Sequence, residues 1–174
     1  MRMQRDDLVV SSAGTKDLAE LEELYSEACG YFKFDKQLPL CTPTEFLRGI
    51  KYPKTGEPEN FEMLTIRLND MLIGYAMVYR DFPGKRYVEL LSLYIGEPAR
   101  CSGFGTQAAK MICRYFYETG YAAVRVSVSL RNWAALRFWY RLGFDHILSL
   151  EADGELANGD NGSISIEKRF EENV

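Results

Sequence analysis

YVELLSLYIGEPARCSGFGTQAAKMICRYFYET, residues 87–119, decides how the chain folds. It reads as an apolar strand, a tight turn and a helix. Tyr87–Ile95 is nearly continuous in apolar residues, as expected of a strand buried on both faces. The turn is Arg100-Cys101-Ser102-Gly103-Phe104-Gly105-Thr106. Its two glycines let the backbone approach a ligand with no Cβ in the way. The first amides of a helix have no partner inside it, and the helix dipole favours negative charge there. A strand that ends in such a turn is a candidate seat for a phosphorylated cofactor. It is not a Walker A loop, because no Gly-Lys-Ser/Thr follows, and it is not the G-x-G-x-x-G dinucleotide pattern. Taken alone, it reads equally as a helix start whose glycines pack closely against a sheet.

Downstream, a helix is expected from Phe104 to about Tyr117. Phe104, Ala108, Met111, Ile112, Tyr115 and Phe116 form its buried stripe, and Gly120 closes it. Tyr121–Leu130 reads as a strand, which makes residues 87–130 one βαβ unit with two parallel strands. Asn132 caps a last helix, Trp133–Leu142, with Ala135, Phe138, Trp139 and Leu142 facing inward and Gly143 ending it. Phe144–Leu150 and Ser163–Phe170 read as a closing antiparallel pair. The polar loop Glu151–Gly162 lies between them. It is read as a solvated turn, and its acids Glu151, Asp153, Glu155 and Asp160 are placed to steer a cationic ligand.

Upstream, Asp7–Ser11 is a short β-prone run. Thr15 reads as an N-cap of an amphipathic helix over residues 16–28, with Asp17 and Glu20 where a helix start favours acids and Gly30 as its end. The segment Tyr31–Pro43 is irregular and aromatic. A short helix from Pro43 to Ile50 follows, capped by Thr42, then a turn-rich loop, Pro53–Pro58. Phe61–Leu68, the turn Asn69-Asp70, and Leu72–Tyr79 form a meander with the strand from Tyr87. Gly74 marks a bulge or a close contact within it.

At 174 residues the chain reads as one domain. It is 47% hydrophobic and 26% charged, which is ordinary for a globular protein, and its formal net charge of −4 gives no support for a nucleic-acid or membrane-surface partner. No apolar run is long enough to span a bilayer, and the N-terminus lacks signal-peptide character. Cys29, Cys41, Cys101 and Cys113 have no CxxC spacing. They read as reduced thiols of a cytoplasmic protein with no metal site. Cys101 stands out because it lies inside the anion turn.

A β-β-β meander leading to R-x-x-G-x-G, a helix, a strand and then N-W-A-A-L-R-F-W-Y-R-L-G-F resembles the GNAT superfamily of N-acetyltransferases. The resemblance runs from about residue 8 to 170 and rests on Arg100–Thr106 and Asn132–Phe144. It implies an α/β fold with a mixed, mostly antiparallel, splayed sheet and helices on both faces. Acetyl-CoA is the implied cosubstrate. The backbone of Arg100, Cys101, Ser102, Gly103, Phe104, Gly105 and Thr106 would hold its pyrophosphate. The backbone of Leu93, Tyr94 and Ile95 would pair with its pantetheine arm, between strands that splay at their C-terminal ends. Asn132 would hydrogen-bond near the arm as well as capping its helix.

The implied reaction moves an acetyl group to a primary amine of a small molecule by direct attack. A protonated amine needs a base. Glu89 is the only acid in Tyr87–Ile95 and lies where some family members carry a catalytic glutamate; it reads equally as an ion-pair partner of Arg125. A backbone amide at or near Leu93 would serve the oxyanion. Many members carry a tyrosine acid seven residues after the asparagine; here Trp139 stands there, and an indole N–H is not a useful acid. Tyr140 is one step along the helix, rotated by about 100°. Either Tyr140 or Tyr94 serves as the acid, or a water does, or the thiolate leaves unassisted, and Trp139 is core with its face against the cofactor arm. The alternatives are acetylation of a protein N-terminus or lysine, or a non-catalytic acyl-CoA-binding module. The superfamily is compatible with a homodimer. His146, the only histidine, is read as a strand or surface residue.

Overall fold

The computed structural model describes residues 1–31, 41–53, 56–151 and 162–170. Among them, eight strands form one sheet in the order β1-β2-β3-β4-β5-β6-β8-β7. The strands are β1 (Arg2–Arg5), β2 (Leu8–Ser12), β3 (Phe61–Leu68), β4 (Met71–Arg80), β5 (Tyr87–Ile95), β6 (Ala123–Ser129), β7 (His146–Glu151) and β8 (Ser163–Arg169). Every neighbouring pair is antiparallel except β5 and β6. The helices are α1 (Leu18–Tyr31), α2 (Pro43–Leu47), α3 (Phe104–Glu118) and α4 (Trp133–Arg141).

Helices cover both faces, as expected. On one face Ala108, Ile112 and Phe116 of α3 and Trp139 of α4 pack with Val88, Leu90, Val124 and Val126. On the other, Leu21, Tyr25 and Ala28 of α1 and Phe46 of α2 pack with Met63, Tyr75, Met77, Tyr79 and Tyr94. The second cluster contains no residue of β6, β7 or β8. That half of the α1/α2 face is lined instead by polar side chains in register, Arg125 opposite Glu167 and Ser127 opposite Ser165.

Three local expectations change. The chain begins with an additional strand, β1, joined to β2 through Asp6-Asp7. Thr15 is not the cap of the first helix: it opens a 3-10 turn whose cap is Gly14, and the Asp17 carboxylate accepts from the Gly14 amide at 2.9 Å. Gly30 does not stop α1, which runs on to Tyr31. Thr42 does cap α2, accepting from the Glu45 amide at 3.1 Å, while the Glu45 carboxylate accepts from Thr42 N–H at 2.9 Å. The body of the segment Tyr31–Pro43 (32–40), two residues of the loop Pro53–Pro58 (54–55) and most of the loop Glu151–Gly162 (152–161) lie outside the described residues. No helix among the described residues is long and apolar enough to cross a membrane.

Candidate active site

Two register shifts shape the centre of the sheet. Between β3 and β4, Ile66 faces Gly74 and Arg67 faces Leu72, leaving Ile73 as an extra residue. Beside it, a Cβ on Gly74 would fall 2.5 Å from the Tyr94 carbonyl oxygen, so only glycine lets β4 come this close to β5. Between β4 and β5, Met77 faces Ser92 and Val78 faces Leu90, leaving Leu91 as an extra residue on β5. A bulge bends the strand that carries it. Beyond this one, β5 leaves β6: the two pair only at Tyr87↔Ala123, Val88↔Val124 and Glu89↔Arg125. From there β5 continues with β4, and β6 continues with β8, so the sheet opens in a wedge.

The edge of β5 that faces the wedge is polar. The Gly96 amide donates to the Ile73 carbonyl at 2.8 Å. Antiparallel pairing alternates along a strand. The amides of Tyr94 and Ser92 therefore turn toward β4, and those of Leu93 and Ile95 turn into the wedge.

The glycine turn closes the end of the wedge. Cys101 (φ 60°) and Gly103 (φ 83°) are left-handed. The first α3 amide with a backbone acceptor is that of Gln107, on the Gly103 carbonyl at 3.0 Å; among the described residues the amides of 101–106 have none. Alternating left- and right-handed residues at a helix start gather N–H groups into a concave anion seat. Cys101, Ser102 and Gly103 are exposed, and a Cβ at Gly103 would meet nothing within 4 Å. The residues present thus fit a diphosphate held by the main chain. The Arg100 side chain is engaged on the other side: its Nε donates to the Ile95 carbonyl at 2.8 Å, its Nη2 reaches the Tyr94 hydroxyl, and the same Nη2 lies 3.1 Å from Glu27 of α1. The Glu27 carboxylate also accepts from the Tyr94 hydroxyl and the Glu97 amide, each at 2.7 Å. Sequence reasoning missed Glu27, which anchors the turn to α1.

Glu89 is half-buried at the last β5–β6 pair, on the α1/α2 face, across from Tyr79 of β4. Arg125, its register partner, ion-pairs with Glu167 at 2.8 Å. Burial raises the Glu167 carboxyl pKa, but the hydrogen bonds from Arg169 and Arg125 outweigh it and hold the group below its ordinary range. Asn132 caps α4 as expected, its side chain accepting from the Ala135 amide at 3.0 Å. Trp139 is core, with ring centroids 4.9 Å from Phe144 and 4.8 Å from Phe138. Tyr140 is 69% exposed. Burial, with the hydrogen bond to Glu27, raises the Tyr94 phenol pKa. Burial likewise pushes the Cys41 and Cys113 thiols up to about 11, while Cys101 is exposed in the turn. His146 opens β7, exposed, with Nε2 beside the Arg169 guanidinium at 2.5 Å.

The sequence profile described as "Acetyltransferase (GNAT) family" matches residues 18–144. Comparison with curated protein sequences gives no significant match. Solved structures share the fold at low identity. An acetyltransferase from Salmonella typhimurium that modifies the N-terminal serine of ribosomal protein L7/L12 is 12% identical, with a TM-score of 0.74, over 96% of this chain and 97% of its own. The ribosomal-protein-S18-alanine N-acetyltransferase of Escherichia coli is 16% identical, with a TM-score of 0.69, over 96% and 98%. A spermidine N-acetyltransferase chimera from Vibrio cholerae and hSSAT is 15% identical, with a TM-score of 0.73, over 94% and 95%.

Proposed function

The chain belongs to the acetyltransferase (GNAT) family and is an acetyl-CoA-dependent N-acetyltransferase; from that premise we propose that it acetylates a primary amine of a small molecule by direct attack, with no covalent enzyme intermediate. The observation that carries this reading is the wedge. It opens directly after Glu89, presents the Leu93 and Ile95 amides on one edge, and ends in a turn of amides that lack a backbone acceptor among the described residues. Seated there, acetyl-CoA supplies a thioester carbonyl and a thiolate leaving group. The amides of 101–106 bind the diphosphate, the backbone of Leu93, Tyr94 and Ile95 holds the pantetheine arm, and Asn132 and Trp139 border it. Glu89 takes the proton of the attacking amine. The Leu93 amide donates to the carbonyl oxygen. Tyr94 already donates to Glu27, so Tyr140 is the tyrosine we assign to protonate the leaving sulfur. A second reading, a protein N-terminus or lysine as acceptor, draws on the ribosomal proteins S18 and L7/L12 named for two fold neighbours.

Replacing Glu89 by Gln tests the base. Turnover is expected to fall by about 10²-fold or more, while thermal stabilisation by acetyl-CoA stays at the wild-type level. A variant with undiminished turnover removes Glu89 from the chemistry. A wild-type protein stabilised by acetyl-CoA but releasing no thiol with any amine or peptide would be a binding module instead.

A further inference from the structure

Arg125 is held in an unusual way for an arginine beside an acyl-transfer wedge. Its Nε donates to Glu167 Oε2 at 2.8 Å, and its guanidinium carbon lies 4.3 Å from the centroid of the Tyr87 ring. Glu167 is 1% exposed. Its other oxygen accepts from Arg169 Nε at 2.6 Å. A buried carboxylate clamped between two arginines is a fixed anchor, and with the aromatic ring beneath it fixes the plane of the Arg125 guanidinium. Neither Nη of Arg125 has a partner among the described residues. The Arg125 side chain is 21% exposed, whereas that of Arg169 is 62% exposed. Among the described residues Arg125 therefore keeps an unpartnered, pre-oriented fork, and a fork of two N–H groups matches a carboxylate.

Placement gives the fork its meaning. Arg125 is the register partner of Glu89, on the same face, at the last pair before the wedge opens. Neighbouring strands lie roughly 5 Å apart. A group read as accepting an ammonium proton and a fork for a carboxylate thus stand side by side, with the neutral hydroxyls of Ser127 and Ser165 beyond them on the same face.

Resting on the reading of Glu89 as base, we propose that the acceptor is a small zwitterion, an amine carrying a carboxylate a few bonds away, and that Arg125 binds that carboxylate. The acceptor class is then a free amino acid or a close analogue, not a polyamine.

The test is steady-state kinetics on matched pairs, each amino acid against the amine that remains when its carboxylate is removed, such as β-alanine against ethylamine. The carboxylate-bearing member of at least one pair is expected to be used more efficiently by about 10- to 100-fold, the worth of a charge-assisted hydrogen bond, mostly through KM. Arg125→Met should erase that preference, raising KM for the acid by far more than for the plain amine. Arg125→Lys should restore part of it. If the variants fold poorly, product inhibition of the wild type decides: N-acetyl-β-alanine should compete with the acceptor and N-ethylacetamide should not. Equal use of both members of every pair, or an Arg125→Met variant impaired equally on both, overturns the zwitterion proposal and leaves amine acetylation standing. Absence of turnover with every amine, while acetyl-CoA still stabilises the protein, removes the acetyl-transfer reading itself and the proposal with it.

Discussion

Gly103 and Gly105 stand one residue apart and resist a side chain for different reasons. Gly103 has φ 83° with open space around it, so the backbone conformation alone opposes a Cβ. Alanine in the left-handed region costs roughly 1–2 kcal/mol. Gly105 lies in the first turn of α3 with an ordinary helical φ, and its Cβ would meet Ile95 Cγ1 at 3.4 Å, a contact that a small shift relieves. Gly103→Ala is expected to lower Tm by roughly 2–8 °C, taking about 2–4 °C per kcal/mol for a domain of this size. It should also weaken acetyl-CoA binding, because the turn must give up the conformation that gathers its amides. Gly105→Ala should affect both less, since a helix interior favours alanine over glycine by about 1 kcal/mol. Calorimetry of both variants with and without acetyl-CoA checks the contrast. Equal losses at the two positions would sink the argument from backbone conformation.

The elements β6 and β8 are joined on one face by the Arg125–Glu167–Arg169 cluster, and its acid sets a pH dependence. The folded state holds the Glu167 carboxyl below its ordinary pKa. Its contribution is therefore complete above the unfolded value, about 4.3, and is lost as pH falls through the lower folded value. Wild-type Tm should drop between about pH 5 and pH 3. Glu167→Gln should start lower at pH 7, by about 1–3 kcal/mol for hydrogen bonds to charged partners, and fall less steeply with acid. Thermal melts of both proteins across that range measure it; parallel curves would mean that the cluster does not control acid stability. The same cluster shows what the sequence could not supply. The strands β3 to β6 and the helices α3 and α4 were legible because apolar periodicity runs up to turn residues, with Gly120 and Gly143 in left-handed conformation at the two helix ends. The neighbour of β6, however, is β8 rather than β7, so Arg125 finds Glu167 from 42 residues away. Glu27 reaches Tyr94 and Arg100 across 67 and 73 residues, and no local pattern marks either pairing. β1 was missed because Arg2-Met3-Gln4-Arg5 has almost no apolar face and its Asp6-Asp7 turn lacks glycine; it forms by pairing with β2. Gly30 misled in the opposite sense: the packing of Leu21, Tyr25 and Ala28 carries α1 past it, overriding a propensity penalty of about 1 kcal/mol.

At the scale of the whole molecule the sheet is two sheets sharing a short seam. β1 to β5 form one part and β6 to β8 the other, and among the described residues the β5–β6 seam is three register pairs, with the Ala122 amide donating to the Arg86 carbonyl at 2.7 Å just before them. Beyond Glu89 the halves hold together through α3 and α4 packed across one face. Occupying the wedge would give the open edge of β5 a strand-like partner, so cosubstrate binding should knit the halves together. The alternation along β5 makes this testable at single amides. In the free protein the amides of Ser92 and Tyr94, turned toward β4, should exchange slowly with solvent deuterium, while those of Leu93 and Ile95 should exchange faster. Acetyl-CoA should slow Leu93 and Ile95 selectively, by about 5-fold, the factor that corresponds to a hydrogen bond worth about 1 kcal/mol, and leave their neighbours little changed. Residue-resolved hydrogen exchange by NMR separates the outcomes. Protection of all four amides before ligand is added would mean that the wedge is closed at rest. Uniform slowing along β5 would mean that acetyl-CoA stiffens the fold without pairing with this strand.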